Sequence, residues 1–222
     1  MATLIQFKAD GYSQYGEDGV LAEINKRLGI TTGWFCEFGA ADGSYLSNCR
    51  LLIERGTWNG VMIESHPGQY DKLVESTKMF GNRIFTMNKT VAQAGPDSLD
   101  ALLNLTPIPI KFEVLSIDVD SCDYQLWASL KVYAPAVVII EANSTFKPDA
   151  VHVYNKSDGV VGSSFAAMLE LGHRKGYQLA CHTGNMFFVR NDMVALLNLP
   201  DDELKKPESL YNWDMYKMVG GR

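Results

Sequence analysis

Short apolar runs alternate with longer amphipathic stretches along the chain, a pattern that predicts β-strands separated by α-helices. The runs are almost continuously apolar, as expected for parallel strands that are covered by helices on both faces. A final pair of runs surrounds Gly184 and predicts an antiparallel hairpin. The predicted strands are 34–38, 60–64, 83–88, 113–118, 136–141, 177–183 and 185–190.

The segments between these runs predict the helices of an α/β fold. Ser13 is a suitable N-cap for the first helix, and Gly29 is a suitable stop. The predicted helices are 13–28, 46–55, 69–79, 99–105, 124–132 and 164–175. The length of 222 residues favours one domain, with an N-terminal helix and lid at 1–30, a core at 31–190 and a tail at 191–222.

Composition and charge narrow the classes of function. The net charge of −6 argues against a protein that binds nucleic acid through its phosphates, because such proteins usually carry a basic surface. The first residues lack the regions of a signal peptide, and the most apolar run is too short to span a membrane. The four cysteines form no CxxC pair and are expected to be reduced thiols. We therefore expect a cytoplasmic protein with neither a nucleic-acid nor a membrane partner.

The ends of the predicted strands carry the residues that we expect to bind ligands, because parallel sheets bind ligands at the carboxyl ends of their strands. The first strand runs into an acidic turn that contains Gly39 and Gly43 but lacks the GxGxxG spacing of dinucleotide-binding proteins. Such a turn would repel a pyrophosphate, but it suits the ammonium group of S-adenosyl-L-methionine. Glu64 ends the next strand, where a carboxylate can accept hydrogen bonds from both ribose hydroxyls.

Six motifs, occurring in order, resemble those of the FkbM-like branch of class I S-adenosylmethionine-dependent methyltransferases. They are SQYGEDGVL (13–21), CEFGAADGSYLSN (36–48), GVMIES (60–65), VLSIDVDSCDYQLW (114–127), VVIIEAN (137–143) and GYQLACHTGNMFFVR (176–190). The resemblance covers nearly the whole chain from Tyr12 to Arg190. It implies a Rossmann-like, seven-stranded, mostly parallel sheet with a C-terminal antiparallel hairpin, and methyl transfer to an oxygen, frequently a sugar hydroxyl.

The resemblance also implies a set of cofactor-binding residues. Glu37, Gly39 and Gly43 would form the cofactor turn, and Glu64 would bind the ribose. Asn88 follows the third strand, where adenine contacts are usual, and Gln14 would be a lid contact. The full set is Gln14, Glu37, Gly39, Asp42, Gly43, Ser44, Ser47, Asn48, Glu64, Asn88 and Asp118.

Methyl transfer to a hydroxyl needs a base that takes the hydroxyl proton, or a metal that lowers the hydroxyl pKa. Asp118 and Asp120 follow the fourth strand and are candidate bases, although Asp120 could equally cap the next helix. His152, in the loop after the fifth strand, and His182, in the hairpin, are the other candidates. Each histidine could instead be a surface or packing residue.

A metal-dependent mechanism stays open beside the metal-free one. Asp118, Glu141 and Asn143 could collect Mg²⁺ or Mn²⁺, hard ions that prefer oxygen ligands. In metal-dependent members of the wider superfamily, an acid after the fourth strand works with an acid and an amide after the fifth. Here the fifth strand ends in Glu-Ala-Asn, so the acid and the amide are not adjacent. Asp118 is common to both mechanisms.

These features predict an O-methyltransferase that acts on a saccharide hydroxyl, in a glycan or a deoxyhexose such as rhamnose. The loop 142–163 is expected to select the acceptor. A closed apolar pocket there would favour a natural-product O-methyltransferase acting on a phenol or polyketide, and a non-catalytic cofactor-binding module is the other alternative. The aromatic tail 211–218 could dock on the domain or on a second subunit, so a monomer and a homodimer both stay open.

Overall fold

One seven-stranded sheet runs through the computed structural model, which describes residues 2–221. Its strands are β1 (Gly33–Phe38), β2 (Trp58–Glu64), β3 (Ile84–Asn88), β4 (Val114–Ile117), β5 (Val137–Glu141), β6 (Tyr177–His182) and β7 (Asn185–Arg190). The order across the sheet is β3-β2-β1-β4-β5-β7-β6. Neighbouring strands from β3 to β5 are parallel, and β7 is antiparallel to both β5 and β6. The predicted seven-stranded, mostly parallel sheet with its C-terminal antiparallel hairpin is therefore confirmed.

Helices cover both faces of the sheet, and every helix predicted from the sequence is present. They are α1 (Glu17–Leu28), α2 (Arg50–Glu54), α3 (Pro67–Thr77), α4 (Leu99–Leu103), α5 (Asp123–Ser129) and α6 (Phe165–Arg174), followed in the tail by α7 (Asp201–Lys205) and α8 (Trp213–Met218). Short 3₁₀ segments lie at Leu4–Phe7, Lys78–Arg83, Val194–Leu197 and Pro207–Leu210. No helix within residues 2–221 is long and apolar enough to cross a membrane.

The core consists of two apolar layers, one on each face of the sheet, because successive side chains of a strand point to opposite faces. On one face Trp127 of α5 packs against Phe188 of β7, with ring centroids 4.9 Å apart. On the other face Phe187, the residue before Phe188, packs in the layer that α1 covers. All three aromatic side chains are buried, which explains why the strands are apolar at consecutive positions.

The first helix begins at Glu17 and not at Ser13, so that part of the helix prediction is wrong. The carboxylate of Asp18 accepts hydrogen bonds from the backbone N–H groups of Gly11, Tyr12 and Ser13, at 2.7–2.9 Å. These bonds fold the segment before the helix into a turn, and Gly16 completes the turn with a φ of +94°. Ser13 still contributes, because its Oγ accepts a hydrogen bond from the N–H of Asp18.

The second helix begins at Arg50 and not near Leu46, again later than predicted. Leu46 has a φ of +58°, which a helix does not allow. Residues 47 and 48 are instead held by Glu37 of β1, which accepts hydrogen bonds from the Ser47 hydroxyl and the Asn48 N–H. A buried carboxylate thus replaces a helical turn at this point with a loop.

The C-terminal tail packs on its own domain, which was one of its two predicted positions. The Tyr211 hydroxyl donates hydrogen bonds to the carbonyl oxygens of Ser144 and Phe146 in the loop after β5. Asn212 donates through its N–H to His182 Nδ1 at 3.0 Å and through its side chain to the carbonyl of Thr183 at 2.7 Å. The tail therefore covers the end of the hairpin and part of the predicted acceptor loop.

We predict that Asp18→Asn lowers the free energy of unfolding by about 2 kcal/mol, because a buried charged acceptor of three N–H groups becomes a neutral one. Chemical denaturation would measure this change. The control is Asp71→Asn on the exposed face of α3, for which we expect a change within about 0.5 kcal/mol. Equal stability of the two variants would show that the Asp18 carboxylate does not hold the turn before α1.

Candidate active site

A cavity of about 380 Å³ lies at the carboxyl ends of β4 and β5. We call it the acid cavity. Its floor carries Asp118 and Asp120, which follow β4, and Glu141, which ends β5. The segments that close over this floor precede α1, follow β1 and β5, and come from the hairpin and the tail. The residues that they contribute include Gln14, Tyr15, Glu17, Leu46, Asn48, Asn143, Ser144, Thr145, Gly184, Asn185, Met215 and Val219.

Asp118, Asp120 and Glu141 form a group that we call the acid cluster. Each offers a carboxylate oxygen within 4.8 Å of those of the other two. Burial, and then the nearby charge of Glu141, raise the pKa of Asp118 to about 8. Burial, followed by the charges of Asp123 and Asp120, raises the pKa of Glu141 to about 7. Within residues 2–221 no salt bridge compensates the acid cluster, so a proton or a bound cation would stabilise it.

The loop after β4 is shaped so that Asp120 lines the cavity while Asp123 supports the backbone. Asp123 accepts hydrogen bonds from the N–H groups of Val119 and Ser121, at 2.9 and 3.0 Å. Asp123 therefore holds the loop before α5, and the predicted capping of this helix by an aspartate is wrong, because α5 has no side-chain cap hydrogen bond. Asp120 has a φ of +56°, a conformation that a residue other than glycine adopts at a cost.

Glu37 holds the loop after β1 from below and is not part of the cavity wall. It is 4% exposed, and it accepts hydrogen bonds from Ser47 Oγ at 2.7 Å and from the Asn48 N–H at 2.8 Å. Burial raises the pKa of Glu37 to about 7. Asn48 lines the cavity, and its side chain donates to Ser116 Oγ of β4 at 3.1 Å. Glu37, Ser47 and Asn48 were predicted to bind the cofactor, and of these three only Asn48 lines the cavity. Glu37 and Ser47 hold the loop that carries Asn48.

The turn from Gly39 to Gly43 is closed by short-range hydrogen bonds. Asp42 accepts from the N–H groups of Ser44 and Tyr45, at 2.9 and 2.8 Å. Gly43 has a φ of +73°, and a Cβ atom there would lie 2.5 Å from Leu73 Cδ1. The two glycines and Asp42 thus build the predicted turn, and Ser44 belongs to it through its backbone.

Arg50 anchors this turn, a role that the sequence did not indicate. Its guanidinium donates to the carbonyls of Gly43 and Ser76, at 3.3 and 3.2 Å. It also lies over the rings of Tyr12 and Phe80, 5.7 and 4.8 Å from their centroids. The spacing of the sequence could have suggested only Glu54 as a partner, four residues further along the helix, and the two side chains do form an ion pair.

Glu64 and Asn88 lie at the tips of β2 and β3, on the other side of β1 from the acid cluster. Glu64 accepts hydrogen bonds from the N–H groups of Ala41 and His66, at 2.9 and 2.7 Å. Asn88 donates through its side chain to the carbonyl of Glu64 at 2.8 Å. The two predicted nucleoside-binding residues are therefore adjacent to each other and to the glycine turn, but they do not line the acid cavity.

The two histidine candidates lie outside the acid cavity. His182 is 1% exposed and packs between the rings of Phe165 and Tyr211, and burial lowers its pKa to about 3. His152 stacks on Phe146, with ring centroids 4.9 Å apart. The structure thus brings Asp118 and Asp120 together with Glu141, and it leaves both histidines in packing positions.

The predicted metal ligands are brought together only in part. Asn143 lines the cavity, but its Oδ1 already accepts hydrogen bonds from the N–H and the hydroxyl of Thr145, at 2.9 and 2.6 Å. Its side-chain amide donates to the carbonyl of Val161 at 2.6 Å. Asp120 instead stands beside Asp118 and Glu141. Three carboxylates suit a hard divalent cation, so the acid cluster fits such an ion better than the predicted set does.

The segment before α1 forms one wall through a buried carboxylate. Glu17 accepts hydrogen bonds from the N–H of Tyr15 at 2.7 Å and from the Thr183 hydroxyl in the hairpin turn. A Cβ atom at Gly184 would lie 2.4 Å from the Tyr15 ring, so the glycine permits this close contact. Gln14 consequently lines the cavity, where it was predicted to be a lid contact.

The tail forms a further wall that sequence reasoning missed. Met215 and Val219 line the acid cavity, and they lie four residues apart at the end of the chain. This helical spacing was the only signal available, and it is equally typical of packing on any apolar surface.

Solved structures with a similar course of the chain include methyltransferases and a cyclase. TrmK from M. capricolum, in complex with S-adenosyl-homocysteine, is 10% identical with a TM-score of 0.49, over 89% of this chain and 82% of that one. A SAM dependent methyltransferase from Aquifex aeolicus is 10% identical with a TM-score of 0.45, over 76% of this chain and 88% of that one. The [4+2]-cyclase SpnF is 12% identical with a TM-score of 0.49, over 78% of this chain and 63% of that one.

Their TM-scores are all below 0.5, so these similarities carry no argument about this chain. The chain spans less than two thirds of the length of the cyclase. No protein-family model matches the sequence, and no curated protein matches it.

We predict that Asp118→Asn raises the free energy of unfolding at alkaline pH. The folded-state pKa of about 8 exceeds the unfolded value of about 4, so the native state binds the extra proton between these pH values, and stability falls as the pH rises through them. The variant lacks this group and should be more stable than the parent at pH 9 by about 1–3 kcal/mol, after allowance for partial exposure.

Urea denaturation at pH 4.5 and pH 9 would measure the difference. At pH 4.5 the parent and the variant should be similar, because a neutral carboxyl resembles an amide. Asp149→Asn, at an exposed position, is the control and should change neither value. If Asp118→Asn were less stable than the parent at pH 9, the Asp118 carboxylate would not be an uncompensated charge in the folded protein.

Proposed function

We propose that the protein is an S-adenosyl-L-methionine-dependent O-methyltransferase of the FkbM-like branch, acting in the cytoplasm on a saccharide hydroxyl. The observation that carries this proposal is the acid cluster in a cavity at the switch point of a Rossmann-like methyltransferase sheet.

The charge of the site supports the methyl donor. S-adenosyl-L-methionine carries a sulfonium and an ammonium group, and the acid cluster has no cationic partner within residues 2–221. The glycine turn lies between this cluster and Glu64, so a donor spanning the turn would present its cationic end to the carboxylates and its ribose to Glu64. For this, Glu64 would exchange a backbone donor, such as the Ala41 N–H, for ribose hydroxyls.

Asp118 is the residue that we propose as the general base. When bound, S-adenosyl-L-methionine would supply an electrophilic methyl group for the new C–O bond, and the bonding pair of its S–C bond would stay on sulfur. Asp118 takes the hydroxyl proton, and its raised pKa of about 8 makes it a stronger base than an ordinary carboxylate. Burial is the main reason that this pKa is high, and the charges of Glu141, Asp123 and Asp120 add to it because they disfavour a further charge nearby.

The lining of the acid cavity supports a saccharide acceptor over a phenol or polyketide. Amide and hydroxyl side chains from the walls accompany the carboxylates of the floor. They include Gln14, Asn48, Ser144, Thr145 and Asn185. A closed apolar pocket, which would have favoured a natural-product acceptor, does not describe this lining. Neutral polyhydroxylated acceptors also suit the negative charge of the site.

Catalysis assisted by a divalent cation is the second candidate mechanism, and the geometry of the acid cluster supports it. Asp118, Asp120 and Glu141 would hold Mg²⁺ or Mn²⁺, which when bound would lower the pKa of an acceptor hydroxyl. Asn143 would then act only by positioning the loop after β5, since its side chain is already bonded to Thr145 and Val161.

We predict that S-adenosylhomocysteine binds at micromolar concentration and that Glu64→Gln weakens this binding at least about tenfold. The reason is that an amide replaces a carboxylate that would accept two ribose hydrogen bonds, each worth about 1 kcal/mol or more. Calorimetric titration would measure both affinities. Glu75→Gln, on the exposed surface of α3, is the matched control and should bind like the parent. No binding to the parent protein would overturn the proposal as a whole.

We predict that methyl transfer to an accepted saccharide increases as the pH rises toward about 8, because Asp118 must be deprotonated to take a proton. Asp118→Asn should lower kcat by about 10²–10⁴ while S-adenosylhomocysteine still binds. Rates would be measured with and without EDTA and with added Mg²⁺ or Mn²⁺.

The two mechanisms give different results in that experiment. Loss of activity in EDTA with recovery on adding either ion would select the metal mechanism, and unchanged activity would select the base mechanism. Cofactor binding without turnover of any tested acceptor would favour the non-catalytic module.

A further inference from the structure

A second cavity of about 490 Å³ adjoins the acid cavity. We call it the loop cavity, since most of its wall belongs to the loop 142–163. The two cavities share four lining residues, Asn143, Thr145, Val161 and Val219, so they lie side by side on either side of these residues. The acid cluster lines only the first.

The border between the cavities is held in place by hydrogen bonds. Asn143 joins the start of the loop to its end through its bond to the Val161 carbonyl at 2.6 Å. The hydroxyl of Tyr211 binds the carbonyls of Ser144 and Phe146, which fixes the tail against the same segment. The loop cavity is therefore built by two parts of the chain that are bonded together.

The walls of the loop cavity suit a neutral polyhydroxylated group. Lys147 and Asp149 both line it and carry opposite charges, so these two side chains favour neither an anionic nor a cationic ligand by net charge. Thr145 and Asn143 provide polar surfaces, and the Phe146 ring, backed by His152, provides an apolar one. Hydroxyl groups on one side of a sugar and its C–H face on the other match such a mixture.

We propose that the loop cavity is a subsite for the sugar residue next to the one that is methylated, so that the acceptor is the end of an oligosaccharide and not a free monosaccharide. This inference rests on the proposed function. The terminal sugar would present its hydroxyl to Asp118 in the acid cavity, and the neighbouring sugar would lie against Phe146 beyond the border at Asn143 and Val161.

The test compares methyl glycosides of rhamnose, fucose, mannose and glucose with the disaccharides that end in the same sugars. Calorimetry would measure the affinity of each for the protein saturated with S-adenosylhomocysteine. For at least one terminal sugar, we expect the disaccharide to bind about tenfold more tightly than the methyl glycoside. Ala150→Trp, which fills the loop cavity, should remove this difference while leaving the methyl glycoside and S-adenosylhomocysteine unaffected.

The matched control is Ala94→Trp, in a separate cavity between α4 and α5 that shares no lining residue with the loop cavity. It should preserve the difference. Val160→Trp is a second filling variant, for use if Ala150→Trp fails to fold.

Equal affinity for the two lengths of every saccharide, or a disaccharide preference that survives both filling variants, would overturn the inference. Failure of every saccharide to bind would overturn it as well. In each case, retained binding of S-adenosylhomocysteine would leave the cofactor part of the proposed function standing, so the two failures can be told apart.

Discussion

The turn after β1 touches the backbone after β4 at Gly39 and Asp118, and the site depends on this contact. A Cβ atom at Gly39 would lie 1.6 Å from the carbonyl oxygen of Asp118, so a side chain there would push the two strand ends apart. The strands are paired up to that point, with Phe38 opposite Ile117. The glycine turn and the acid cluster are thereby held side by side at one edge of the sheet.

Two groups of carboxylates at or near the site differ in their hydrogen-bond donors. Asp18, Glu37 and Asp123 each accept hydrogen bonds from backbone N–H groups, and each shapes a loop. The members of the acid cluster have no cationic partner among the described residues, and burial raises the pKa of two of them. Charge left uncompensated in a cavity destabilises the fold, and it is characteristic of sites that bind a cation or move a proton.

The walls around the acid cluster come from parts of the chain far apart in sequence. Glu17 joins the segment before α1 to the hairpin, and Asn212 joins the tail to the same hairpin. The loop after β5 is held between them through Tyr211. The proposed donor site therefore lies on the sheet, whereas loops form the proposed acceptor site. The loops can change the choice of acceptor while the sheet stays the same.

The pattern of apolar residues was enough to predict the α/β class, all seven strands and every helix of the core. The reason is that the spacing of apolar residues follows directly from which faces of each element are buried. It also placed Gly39, Glu64 and Asp118 at strand ends, and topology then brings such ends to one edge. The starts of α1 and α2 were missed, since Asp18 and Glu37 override local helix preference through bonds that no local pattern reveals.

Which polar residues lie in contact depends on the tertiary structure. It buried His182 under the tail, tied Asn143 to Thr145 and Val161, and set Asp120 beside Asp118 and Glu141. It also brought Met215 and Val219 from the tail into the cavity wall. The physical reason is that a side chain's partners across a fold depend on distances between distant segments, whereas the elements that carry it depend on its neighbours along the chain.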